Sequence, residues 1–190
     1  MLAYVFWHRA AAGVEQGAYE QAIDHFHRSL KARPPAGFAG SACYHAAELS
    51  WLGGSAGYED WYLVEDFAAL GVLNEAAVAH GHRTAHDQAA RRLGEAAGGL
   101  YRVLEGSVQL SEERVVVWVE RPAGAESPTF GGLLGDGMDP ARAALLRRQL
   151  VLGPAPEYCV LADDSPAGVA ATRLPQGWTA TPATRTRLAG

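Results

Sequence analysis

The chain has 190 residues, 48% of them apolar and 19% charged, a make-up that folds around a core and is not that of a disordered polypeptide. A net charge of −5 without a basic stripe speaks against a nucleic-acid surface. No apolar run approaches the ~20 residues of a membrane span, and Met1–Trp7, cut short by His8-Arg9 with no basic segment before it, is not expected to be a secretory signal.

Residues 3–9 alternate, with Tyr4, Phe6 and His8 on one face and Ala3, Val5, Trp7 and Arg9 on the other, a strand that Gly13 ends. From about Glu15 to Lys31 the period becomes helical: Tyr19, Ile23, Phe26 and Leu30 form one stripe, and Pro34-Pro35 stops it. His25 and His27, two apart, do not share a face and read as surface residues. Residues 38–49 are expected to be a strand with Cys43 and His45 opposite Tyr44. After Gly53, Gly54 and Gly57 a third strand, residues 58–64, places Tyr58, Asp60, Tyr62 and Val64 together. Residues 1–65 thus read strand, helix, strand, strand.

Residues 66–105 read as a helical insertion. Asp66 caps a helix to about Val78, and Thr84 and Asp87 have the capping-box spacing for another to about Ala97, closed by Gly98-Gly99. Residues 100–104 fit helix or strand. A second unit, 106–175, has its first strand from Arg114, where Val115, Val117 and Val119 alternate with Val116, Trp118 and Glu120. A Gly/Pro-rich loop, with 131–137 as a flap, leads to Asp139-Pro140, a helix start. Residues 141–151 are expected to be that helix, burying Leu145, Leu146 and Leu150. Strands at 158–162 and 169–174 follow. Residues 176–190 are expected to be a tail of low ordering propensity whose Trp178 docks elsewhere on the molecule or on a neighbouring subunit, the latter in a homodimer.

Both units open on an aromatic strand that runs into Arg9 or Arg121 and a small-residue turn, and both continue strand, helix, strand, strand, as after an internal duplication. This order, twice in one chain, resembles the dimeric α/β-barrel superfamily in its tandem-fused form, which includes cofactor-free monooxygenases of the antibiotic-biosynthesis type. The resemblance implies an α+β fold: two ferredoxin-like βαββ units fused into a pseudo-dimeric α/β barrel, helices outside, with the helical insertion between them. It covers residues 2–175 and transfers no catalytic residue.

In such a barrel one sheet face packs under helices and the other lines a central cavity. Taking the apolar Val115, Val117 and Val119 as helix-covered sends Val116, Trp118 and Glu120 inward. Matching Arg9 to Arg121 then makes Phe6 the counterpart of Trp118 and His8 the counterpart of Glu120. His8 and Glu120 are therefore the candidate catalytic pair, because a carboxylate beside an imidazole fixes its tautomer and raises its basicity. The competing reading is a satisfied pair at two strand ends. Phe6, Trp118, Asp60, Tyr62, Arg9 and Arg121 are the candidate ligand-binding residues. A buried Asp60 needs a partner, such as Arg9 or Arg121; in the alternative the local acids are structural, Glu59 exposed and Asp66 a cap.

His80, His82 and His86 offer imidazoles in one turn, His82 and His86 at helical i, i+4 spacing, yet no fourth ligand is fixed, and no metal or cofactor is assigned. The 131–137 loop lacks the lysine of a phosphate-binding loop. Cys43 and Cys159 read as buried free thiols of a reducing cytoplasm. The expected function is to bind a small, partly aromatic molecule in the barrel cavity, as a cofactor-independent monooxygenase-like or acid–base enzyme. The alternative is a non-catalytic module whose barrel is filled by side chains. The expected partner is that small molecule, with neither nucleic acid nor membrane.

Overall fold

The computed structural model describes residues 1–79, 81–110, 115–135, 139–150, 155–162 and 174–190. Among the described residues nine strands form one antiparallel sheet: β1 (Leu2–Ala10), β2 (Phe38–Leu49), β3 (Ser55–Val64), β4 (Leu93–Gly106), β5 (Val115–Glu120), β6 (Ala143–Leu150), β7 (Tyr158–Ala162), β8 (Thr179–Ala183) and β9 (Arg185–Ala189). Their order is β8-β5-β7-β6-β4-β1-β3-β2-β9. The helices are α1 (Gln16–Ala32), α2 (Phe67–Ala79), α3 (Arg83–Ala90) and the short α4 (Phe130–Leu134), with a 3-10 turn at Ser50–Leu52. Among the described residues no helix is long and apolar enough to cross a membrane.

The order β4-β1-β3-β2 is that of a four-stranded ferredoxin-like unit, and β8-β5-β7-β6 repeats it. The two units meet where β4 pairs with β6. At the far side β8 pairs with β5 and β9 with β2, and only Thr184 separates β8 from β9. The Thr184 carbonyl accepts the Ala47 N–H at 3.0 Å. One bent stretch of chain therefore joins both ends of the sheet and nearly closes it into a barrel. The α+β pseudo-dimeric barrel expected from element order is the fold of the molecule.

Three local expectations need correction. The helix expected to run to about Ala97 ends at Ala90, and from Leu93 the chain is β4, hydrogen-bonded to β1. The edge of β1 requires a partner, and that pairing overrides the helical propensity of Glu95, Ala96 and Ala97. Gly98 and Gly99 lie inside the strand because aromatic rings cross it: a Cβ would stand 3.0 Å from the Tyr4 hydroxyl and 2.7 Å from the Tyr101 ring, respectively. The helix expected at 141–151 is β6. Its Ala144 and Leu146 enter the barrel while Ala143 and Leu145 pack outside, so both faces are apolar and no strand alternation shows. Asp139 instead closes a turn, accepting the Ala141 N–H at 2.9 Å. Finally, the tail forms β8 and β9. The expected strand at 169–174 lies almost wholly outside the described residues.

The barrel interior is filled. Trp7 meets Trp118 edge-on at 5.1 Å, Trp118 stacks on Trp61 at 5.9 Å, and Tyr101, Leu146 and Leu161 complete the packing. Glu59, expected at the surface, is 1% exposed at the centre of this cluster. It accepts hydrogen bonds from the indoles of Trp7 (3.0 Å) and Trp61 (2.7 Å) and from the Arg185 guanidinium (3.0 Å), which itself lies 3.9 Å over the Tyr44 ring. A buried carboxylate is tolerated only when charge and hydrogen bonds meet it in this way.

Candidate functional site

Alternation on β1 sends Ala3, Val5 and Trp7 into the barrel and Tyr4, Phe6 and His8 outward, beneath the helices. Register places Phe6 opposite Asp60, Tyr4 opposite Tyr62 and His8 opposite Tyr58 on β3, and Cys43 of β2 opposite Asp60 on its other side. Above this face runs α1. Its N-cap is Glu15, whose carboxylate accepts the N–H groups of Gly17 and Ala18, and its buried stripe includes Tyr19, Ile23, Phe26, His27 and Leu30.

Asp60 is the centre of what results. Its Oδ2 accepts a hydrogen bond from the Tyr62 hydroxyl at 2.9 Å and lies 3.2 Å from His8 Nε2; its Oδ1 lies 3.4 Å from His27 Nε2. His27 Nδ1 is 2.8 Å from the Ser41 hydroxyl, and His8 Nδ1 is 2.7 Å from that of Tyr19. The imidazoles are braced by stacking, His8 on Tyr58 at 5.4 Å and His27 on Tyr62 at 5.4 Å. The His8–Asp60 contact has the separation of an ion pair without the alignment of a hydrogen bond, so Nε2 is a buried nitrogen with no hydrogen-bond partner of its own.

Burial pushes the Asp60 carboxyl up, but the electrostatic pull of His8 and His27, with the hydrogen bond from His27, outweighs it and holds the group well below the usual carboxylate range. The same anion acts in reverse on its neighbours. Burial, then Asp60, raises the Tyr62 phenol and the Cys43 thiol well above their ordinary values. Tyr19 is likewise raised by burial and then by Asp60. The site is thus one fixed negative charge ringed by groups that keep their protons.

Over this floor, between the sheet and α1, α2 and α3, lies a cavity of about 650 Å³. Tyr4, Phe6, Phe26, Tyr62, Phe67 and Leu73 supply an apolar, largely aromatic wall, while His8, Tyr19, Asp60, Asn74 and His86 offer polar atoms. The size and the balance of a few polar groups in an apolar lining are those of a small-molecule site.

Of the residues singled out in the sequence, His8, Phe6, Asp60 and Tyr62 meet in this pocket. Trp118 does not, since it lies inside the barrel against Trp7. The acid–base partner assigned to His8 is also corrected: Glu120 is exposed, and its carboxylate accepts the Glu157 backbone N–H at 2.8 Å, whereas the carboxylate beside His8 is Asp60. Aligning the two units on their arginines offsets β1 by one residue, and one residue reverses every side chain on a strand. Trp7, not Phe6, answers Trp118. Arg9 and Arg121 do not partner Asp60 either. Arg9 pairs with Glu95 at 3.1 Å and with the Leu52 carbonyl; Arg121 pairs with Glu157 at 2.8 Å.

His27, read as a surface residue, is buried beneath α1. The signal was present: it stands four residues after Ile23, on the stripe already recognised. Of the histidine-rich turn, His82 is buried with Nδ1 2.7 Å from the Ser29 hydroxyl, His86 rests edge-on against Phe26, and His80 lies outside the described residues. Among the described residues, the group whose donor atoms could hold a metal ion is His8, Cys43 and Asp60, all within 4.8 Å of one another.

No family model matches the sequence, and no curated protein matches it. Solved structures do share its fold. A candidate monooxygenase of Fusobacterium nucleatum subsp. nucleatum superposes with a TM-score of 0.61 at 8% identity, covering 98% of this chain and 92% of that one. A candidate monooxygenase of Lactobacillus acidophilus does so with 0.52 at 10% identity, covering 98% and 94%. An anthrone oxidase-like protein gives 0.50 at 11% identity, covering 98% and 93%. What the chain shares with these structures is the fold, here with both ferredoxin-like units in one polypeptide.

Proposed function

We propose that the protein binds a flat, mostly apolar aromatic molecule in the pocket beneath α1–α3 and, as a cofactor-independent monooxygenase would, takes a proton from it with His8. The observation that carries the reading is geometric: the Asp60 carboxylate lies at the floor of an aromatic cavity, 3.2 Å from an imidazole nitrogen without a hydrogen-bond partner. Buried charge is costly, and a perturbed carboxylate in a cleft is a mark of function. With His27 and the Tyr62 hydroxyl holding the Asp60 charge, His8 can be neutral: its Nδ1–H donates to the Tyr19 oxygen and Nε2 keeps its lone pair. A proton accepted there makes an imidazolium beside the carboxylate.

The chemistry balances without a bound cofactor. A ring methylene made acidic by neighbouring carbonyl and aryl groups loses its proton to His8, and the carbanion supplies the electrons that reduce dioxygen. The carbon becomes a carbonyl, and the second oxygen atom leaves as water. Anthrones carry such a methylene, and one structural neighbour is named for that class. The observation favouring a non-catalytic module is the packed barrel interior, where the sequence placed the ligand.

The test uses a dihydroxyanthrone as probe, with binding followed by intrinsic fluorescence and turnover by oxygen uptake. Gly71 lines the pocket and a Cβ there meets nothing within 4 Å, so Gly71→Trp fills the cavity without disturbing packing. Saturable binding is expected in the wild type and its loss in Gly71→Trp. His8→Ala should bind but turn over about 10²–10⁴-fold more slowly. Binding that survives Gly71→Trp rules out the pocket; turnover that survives His8→Ala rules out the base; binding without wild-type turnover leaves the non-catalytic module.

A further inference from the structure

We infer that His8 Nε2, Cys43 Sγ and Asp60 Oδ2 form a binding site for a divalent transition metal ion of the zinc or cobalt kind, with its remaining position open to the pocket. The three donors come from three adjacent strands, β1, β2 and β3, and lie within 4.8 Å of one another with all three residues buried. Strands fix donors more rigidly than loops do.

Spacing supports the assignment. Around a tetrahedral ion with metal–nitrogen and metal–oxygen bonds of about 2.0–2.2 Å, two donors stand roughly 3.4 Å apart. His8 Nε2 and Asp60 Oδ2 are 3.2 Å apart already. A thiolate bound at about 2.3 Å stands roughly 3.6 Å from its co-ligands, so closing a separation of at most 4.8 Å to that distance takes a movement of about 1.2 Å or less. An unaligned nitrogen facing a carboxylate oxygen is poor hydrogen-bond geometry and good geometry for two ligands of one ion.

The surrounding groups support it independently. A metal-bound histidine donates its other N–H to a fixed acceptor, and a metal-bound carboxylate is itself hydrogen-bonded. Tyr19 stands 2.7 Å from His8 Nδ1. Tyr62 and His27 hold the two oxygens of Asp60, and Ser41 backs His27. A set of imidazole, thiol and carboxylate selects zinc, cobalt, iron or nickel over magnesium and calcium. His8 and Asp60 line the pocket, so the vacant coordination position faces whatever the cavity holds.

This site goes beyond the acid–base reading, since proton and metal compete for one lone pair on Nε2. A metal-loaded protein would be a second chemical state of the same pocket, one that holds an oxygen of its ligand and does not remove a proton.

Cobalt(II) titrated into the full-length, chelator-treated protein tests the inference. One equivalent should bind, giving a near-ultraviolet thiolate-to-cobalt band and the visible bands of four-coordinate cobalt, both erased by zinc. Cys43→Ser should abolish the near-ultraviolet band. His8→Ala should weaken binding at least about 10-fold, and Tyr19→Phe about 10-fold through loss of the outer hydrogen bond. Replacing His25, an exposed residue hydrogen-bonded to Gln88 and outside both the trio and the pocket, should leave cobalt binding unchanged. Absence of a thiolate band, or a band that survives Cys43→Ser, overturns the site. Cys43 does not line the pocket. Cys43→Ser that keeps probe binding while cobalt fails in the wild type therefore defeats this inference alone. Failure of the wild type to bind the aromatic probe defeats the pocket reading alone.

Discussion

The two halves of the molecule share a strand order and differ in what they place on the outer face of the sheet. In the first half that face carries Tyr4, His8, Cys43, Asp60 and Tyr62, and two long helices with a third, α3, stand over a cavity. In the second it carries Val117, Val119, Leu145, Tyr158 and Val160, packed against Phe130, Leu133 and Leu134 of the five-residue α4. The same topology thus builds a chemical site in one place and a plain core in the other. Helix length and one buried carboxylate make the difference. A long helix can bridge a gap between its points of contact, whereas a single turn must rest on the sheet directly.

The comparison breaks most visibly at Asp60. Asp60→Asn should cost about 3–5 kcal/mol, the range for breaking a buried ion pair, measured by urea denaturation at neutral pH. The folded carboxyl titrates below its unfolded value of about 3.9. Its contribution is therefore complete above that value and is lost as the pH falls through the lower, folded one. The gap between wild type and Asp60→Asn should narrow in acid. In the second half Leu145→Ala should cost about 2–5 kcal/mol by cavity formation, with a gap that does not follow that titration. Parallel pH profiles for the two variants would show that Asp60 is not held as an ion pair.

Arg185→Ala comes next, at about 3 kcal/mol, because it leaves Glu59 charged and buried with only two indole donors. Retained stability would mean that the C-terminal strands are not part of the barrel. Asp66→Ala should cost about 1 kcal/mol through loss of the α2 cap, whose carboxylate accepts the Ala69 N–H at 2.8 Å. Glu120→Gln should change stability by no more than about 0.5 kcal/mol, as for an ordinary surface residue. It should leave probe binding untouched, and an effect on binding as large as that of His8→Ala would restore Glu120 to the site.

The first half was largely legible because its elements have one buried face each. β1, α1, β2 and β3 announce themselves by period, and His8, Phe6, Asp60 and Tyr62 could be selected as a set. What the letters hid was which way that set faces. The rule that the helix-covered face is the more apolar one holds for Val117 and Val119 but inverts for Phe6 and His8, because a pocket needs polar atoms where a core does not. β6 and β4 were obscured by strong helix formers, Ala143 to Leu150 and Glu95 to Ala97, whose conformation is decided by neighbouring strands distant in sequence. The same holds for β9: nothing local to Arg185 points to Glu59, 126 residues away.

The Glu59–Arg185 contact has a practical consequence. It ties the closing segment of the sheet to two indoles, Trp7 and Trp61, and through them to Trp118. Any loosening of β9 from β2 would let solvent reach fluorophores that are now dry, and their emission would shift to the red. The molecule therefore carries its own optical gauge of whether the ring of strands is shut.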